Sequence, residues 1–146
     1  LYQEKIWGGG ELFKNVLNKE CKDVKRCGEI WELSSVEGNT SVVSNGFLKG
    51  NNITELVEIY MGDLVGESVY EKFGIEFPLL FKYIEARDDL SIQVHPGDDI
   101  AKSRHHAYGK TEMWYVVDAY KGSYVFSGFN QTVTKDVYIE YLETGS

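Results

Sequence analysis

The residues with the most chemical character lie in the stretch Leu90-Ser91-Ile92-Gln93-Val94-His95. Apolar and polar side chains alternate along it, the pattern of a strand with one buried face. On the polar face a carboxamide (Gln93) and an imidazole (His95) stand two residues apart, about 6–7 Å along the strand, near enough to serve one metal ion. Glu112 follows 17 residues later, within another strand-like run. One imidazole nitrogen with carboxylate and carboxamide oxygens suits zinc, and equally manganese or iron, and three protein ligands leave a position open for water or substrate. Taken alone the spacing is a weak signal, because a histidine on the polar face of a strand is more often simply solvated or hydrogen-bonded. Lys102, Arg104, His105, His106 and Lys110 gather positive charge between His95 and Glu112, a local patch suited to a small anion. A solvated helix face explains Lys102 and Arg104 equally well, and the paired histidines read better as surface than as ligands.

The elements that must position these groups can be read from periodicity. Residues 90–95 form a strand that Pro96-Gly97 ends, and Asp98 or Asp99 can cap a short helix reaching about Tyr108. Residues 111–119 and 123–129 read as two strands of a hairpin turning at Tyr120-Lys121-Gly122. Further strands are expected at 29–33, at 40–43 and in the apolar run 79–84. Residues 53–61 differ: Ile53, Leu56, Val57, Tyr60 and Met61 form the stripe of an amphipathic helix, with Asn52 or Thr54 as its cap. Thr134 followed by Val137, Tyr138, Tyr141 and Leu142 predicts a final helix that runs into the end of the chain. Fifteen glycines against two prolines, with 14% aromatic residues, fit many tight turns and sheets of large flat side chains. The expected architecture is mainly β, a barrel or sandwich with short helices.

Composition bounds the partners. The 146 residues suit one domain able to bury a core. Their net charge of −8 argues against a general nucleic-acid binder, which needs a basic face to replace counterions. No apolar run approaches the roughly 18–20 residues of a membrane-spanning helix. Cys21 and Cys27 are too few for a disulfide framework and lack the spacing of a CxxC pair. They are expected to be two reduced thiols of a cytoplasmic protein.

Longer motifs sharpen the reading. Ile6-Trp7-Gly8-Gly9 comes first, then Gly28-Glu29-Ile30-Trp31-Glu32-Leu33-Ser34 and Phe77-Pro78-Leu79-Leu80-Phe81-Lys82. Leu90-Ser91-Ile92-Gln93-Val94-His95-Pro96, Gly109-Lys110-Thr111-Glu112-Met113-Trp114-Tyr115-Val116 and Gly128-Phe129-Asn130 follow. Each is weak alone; the ordered set, spread over nearly the whole chain, resembles the type I mannose-6-phosphate isomerases. These are a zinc-dependent branch of the cupin fold, and the short bacterial form is the nearest in pattern. The resemblance implies a cupin-type jelly-roll barrel with Gln93, His95 and Glu112 as zinc ligands. It also implies Lys82, Ser91 and Lys110 as contacts to a phosphosugar, with Lys110 the catalytic candidate, and Trp7 in either a packing or a substrate role. The implied reaction interconverts mannose 6-phosphate and fructose 6-phosphate by proton transfer between the first two sugar carbons.

The family's fourth zinc ligand, a second histidine, and its catalytic arginine have no counterpart among these residues. The chain is therefore expected to be an N-terminal cupin part that stops before the second cupin motif, inactive alone, with a naturally short protein as the competing explanation. Two other readings stand beside the isomerase: a non-catalytic isomerase-like cupin, and a carbohydrate-binding module that stacks sugars on aromatic rings. Oligomeric state is not legible in the sequence.

Overall fold

The computed structural model describes residues 1–145. It divides into two compact units, Leu1–Ser91 and Ile92–Ser146.

The first unit is built on a three-stranded antiparallel sheet in the order β1 (Tyr2–Glu4), β2 (Cys27–Leu33), β3 (Phe81–Ile84). The central strand β2 is buried through its first four residues, Cys27-Gly28-Glu29-Ile30, with one charge among them. Helix α1 (Glu11–Leu17) lays Phe13 onto Cys27 and Ile30, with Leu17, Val24 and Tyr83 around them. Helix α2 (Ile53–Tyr60) buries Leu56 and Val57 of the predicted stripe, while Tyr60 is exposed and Met61, also exposed, is the C-cap rather than part of the helix. Of the two cap candidates, Asn52 is used. Its side chain accepts the Glu55 N–H while the Glu55 carboxylate accepts the Asn52 N–H, a reciprocal capping box. Helices α3 (Gly62–Val65) and α4 (Glu67–Phe73) complete the unit. Of the expected strand at 40–43 only an isolated bridge, Val42 to Asn52, is present.

The second unit holds α5 (Asp98–His105) and α6 (Lys135–Thr144). Thr134 caps α6, accepting the Val137 N–H, and Gly145 in the left-handed conformation closes it. The three segments expected as strands, 90–95, 111–119 and 123–129, are irregular. A strand exists only as a member of a ladder, and among the described residues these segments pair with nothing. The mainly β expectation is corrected accordingly: the short helices are present, the sheet is small, and a closed jelly-roll barrel is not formed by the described residues.

A second correction concerns the cysteines. Cys21 and Cys27 are joined in a disulfide, their Cα atoms 6.2 Å apart, within the span such a bond requires. The short link after α1 folds back so that Cys21 packs against the core at the head of β2. No helix of the described residues is long and apolar enough to cross a membrane.

Candidate functional site

In the second unit the site is assembled by a loop that returns to its own starting point. His95 precedes Pro96-Gly97, and Gly97, not Asp98 or Asp99, is the N-cap of α5. The Asp98 carboxylate instead accepts the N–H of Gly109 at 2.9 Å, and Lys110 N–H donates to the Pro96 carbonyl at 3.3 Å. Gly109 is required there, since a Cβ would stand 2.6 Å from the Asp98 nitrogen. These links, with buried Ala101 beneath them, bring the residues after Gly109 back to His95.

The result is a cluster centred on Glu112. Its Oε2 lies 3.0 Å from His95 Nε2 and its Oε1 lies 3.1 Å from Lys110 Nζ. Trp114 Nε1–H donates to Oε2 at 3.3 Å. Burial pushes the Glu112 carboxyl up, but the Lys110 ammonium together with the His95 and Trp114 hydrogen bonds outweighs it, and the pKa falls below its ordinary value. The carboxylate is therefore ionised at neutral pH. Side chains of His95 and Glu112 are 24% and 25% exposed, so solvent or a ligand reaches both.

The donor chemistry fits a divalent ion, since an imidazole nitrogen and an ionised carboxylate already face each other. Gln93 is exposed and takes no part in the hydrogen bonds that join the other three. Among the described residues no three His, Cys, Asp or Glu converge on one point. Lys102, Arg104 and His105 occupy the exposed last turn of α5, where the helix dipole favours cations, as the solvated-face reading requires.

The remaining candidates belong to the first unit. Lys82 lies in β3 with its ammonium 3.0 Å from Glu29 Oε1. Ser91 is exposed in an irregular segment. Trp7 packs: a Cβ at Gly28 would meet its ring at 2.8 Å, and its carbonyl accepts the N–H groups of Arg87 and Asp88. Sequence reasoning passed over two residues that the structure ties to the candidates. Trp114 steadies Glu112, and Glu29 holds Lys82. The signal for Glu29 was a charge on the same strand face as Trp31, in the stretch of β2 that is buried.

Burial pushes the Glu29 carboxyl up, and the Trp31 indole N–H with the charges of Lys82 and Lys5 outweighs this, leaving a pKa below the ordinary 4.5. A carboxyl whose folded pKa is depressed adds stability above its unfolded pKa and loses it as pH falls through the folded value. The stability difference between the chain and its Glu29→Gln variant is therefore expected to be constant above about pH 5. Below 4.5 it should narrow steadily. Urea unfolding at a series of pH values checks this, and a difference that widens on acidification would refute it.

Comparison with known proteins now gives the class and then the family. A family model of a catalytic domain matches residues 1–132, so the chain is catalytic-domain sequence through most of its length. That model is phosphomannose isomerase type I, and the chain belongs to this family. It is 36% identical to mannose-6-phosphate isomerase ManA of Bacillus subtilis (strain 168), an alignment covering 99% of this chain and 44% of that protein. It is 38% identical to mannose-6-phosphate isomerase of Streptococcus mutans, covering 86% of this chain and 37% of that protein. In three dimensions it is similar to the crystal structure of the mannose 6-phosphate isomerase from Bacillus subtilis, with a TM-score of 0.68 at 34% identity. That match covers 83% of this chain and 37% of the other. The chain thus spans less than half the length of these relatives.

Proposed function

We propose that these residues are the N-terminal portion of a mannose-6-phosphate isomerase, interconverting mannose 6-phosphate and fructose 6-phosphate. The observation that carries the reading is the contact of Glu112 with both His95 and Lys110, in a chain whose family is that of these isomerases. Gln93, His95 and Glu112 are the residues that would hold zinc. When bound, the ion supplies a Lewis acid for the negative charge that develops on a sugar oxygen.

The chain's own groups carry the rest. Transfer of a proton between the first two sugar carbons builds charge on the neighbouring oxygen, and a cation placed there stabilises it. Lys110, its Nζ 3.1 Å from the Glu112 carboxylate, is the cationic group placed to meet that charge. Glu112 orients both Lys110 and His95. Lys82 and Ser91 are assigned to the phosphosugar, Lys82 as a cationic partner, while Trp7 supports β2. The reading brings with it a cupin-type jelly roll, and the alternation in 90–95 with the strand-like composition of 111–119 and 123–129 supports it. It also brings a cytoplasmic location, where reductants would act on the Cys21–Cys27 bond.

The test is elemental analysis of the full-length polypeptide with a coupled assay on mannose 6-phosphate, before and after chelation. Stoichiometric zinc and turnover that chelation abolishes and zinc restores are the expected results. Bound metal without turnover would replace the isomerase with a non-catalytic cupin. Binding of neutral glycans with no need for the phosphate would replace it with a carbohydrate-binding module.

A further inference from the structure

Glu29 is only 6% exposed, at the middle of the central strand, and no step assigned above uses it. Both of its oxygens are committed. Oε1 accepts from Lys82 Nζ at 3.0 Å, Oε2 accepts from Trp31 Nε1 at 2.8 Å, and Lys5 Nζ stands 3.7 Å from Oε2. Strand register explains the meeting. Trp31 lies directly opposite Lys82, and Glu29 lies opposite Ile84, which makes Glu29 and Lys82 diagonal neighbours on one face of the sheet.

Fold stability gives little reason for this arrangement. Taking a carboxylate and an ammonium out of water costs about as much as their attraction returns, and an apolar pair of similar volume often serves as well or better. What the pair does accomplish is to immobilise a lysine. A free lysine side chain samples many rotamers and loses up to about 2 kcal/mol of entropy when one is imposed. Lys82, with its side chain 21% exposed, has that loss met before any ligand arrives. The indole of Trp31 fixes the far oxygen of Glu29, so the carboxylate itself holds one orientation. An ammonium has three N–H donors, and Glu29 takes one. With Lys5 included, two ammonium groups face one carboxylate, and the cluster keeps a net positive charge to offer an anion.

We propose that Glu29 is a positioning residue for phosphosugar recognition, holding the Lys82 ammonium in one orientation with N–H groups left for a sugar-phosphate oxygen. The proposal rests on the assignment of Lys82 to the phosphosugar. The test is steady-state kinetics of the full-length polypeptide carrying Glu29→Gln, Lys82→Met and both. In Glu29→Gln, KM for mannose 6-phosphate is expected to rise about 10-fold, the scale of one charge-assisted hydrogen bond, while kcat changes by less than about threefold. Lys82→Met should raise KM at least as far, and adding Glu29→Gln to it should change KM no further. A merely structural role would lower the melting temperature in either background without this dependence on Lys82.

An unchanged KM in Glu29→Gln beside a raised one in Lys82→Met would overturn the proposal and leave the assignment of Lys82 standing. So would additive effects in the double variant. An unchanged KM in Lys82→Met would overturn both. Should the glutamine variant fail to fold, Glu29→Asp carries the same test: a carboxylate one methylene short should raise KM, and an unchanged KM would sink the proposal.

Discussion

Replacing Glu112 with Gln is expected to lower turnover of the full-length polypeptide by about 10²–10³-fold, the scale seen when one preorganised electrostatic group is lost from an active site. The substitution preserves shape and removes only charge. In the folded chain that charge is shared by Lys110 Nζ, His95 Nε2 and the Trp114 indole. With a neutral amide in its place the ammonium loses the partner that holds it. The imidazole loses its carboxylate partner, and a divalent ion held there as proposed would lose its anionic donor. Effects on kcat and on bound metal should therefore appear together, read by the coupled assay and by elemental analysis of the same preparation. Stability should move by no more than about 1 kcal/mol, because pairs this exposed contribute little to folding. Turnover within tenfold of the unsubstituted protein would remove Glu112 from the centre of the site.

The largest effect on folding is expected at Glu85, where Glu85→Ala should cost about 3–6 kcal/mol, two charge-assisted hydrogen bonds at about 1.5–3 kcal/mol each. Glu85 is 4% exposed, and its two oxygens accept the N–H groups of Glu11 and Phe13 at 3.0 and 3.1 Å. Those groups open α1, whose N-cap, Gly10, supplies no side chain. A helix of seven residues is too short to persist alone, so the carboxylate from the end of β3 both caps it and seats Phe13 against Cys27 and Ile30. Alanine would leave two backbone donors without acceptors at the edge of the core. Urea unfolding followed by circular dichroism measures the loss, and Glu85→Gln, which keeps one acceptor, should fall between the two. A loss below about 1 kcal/mol would mean that water or another group satisfies these donors.

The same residues show how far the sequence could be read. Helix α2 was legible because its apolar stripe, its cap and its Glu55 lie within nine consecutive positions, 52–60. Helix α6 was legible through Thr134 and the apolar spacing after it, β2 in part as the strand expected at 29–33, and β3 through the apolar run 79–84. Helix α1 was not, because its cap comes from Glu85, 74 residues away from Glu11 in sequence. The three-residue strand β1 is too short to show a period. In the other direction, 90–95, 111–119 and 123–129 carry strand-like sequence and form no strand here: among the described residues none of them is paired, and alternation without a ladder does not make a strand. The cysteines repeat the lesson: composition pointed to two thiols, and the fold of one short link joined them.

Local chemistry thus determined the residue types, the caps, the periodicities and the ordered motifs from which the family can be read, because each is complete within a few positions. Tertiary structure alone decided which charges meet. Glu112 sits between His95 and Lys110 because a loop closes on the start of α5. Glu29 holds Lys82 because strand register sets them diagonally on one face. Both pairings depend on backbone geometry that no window of the sequence contains.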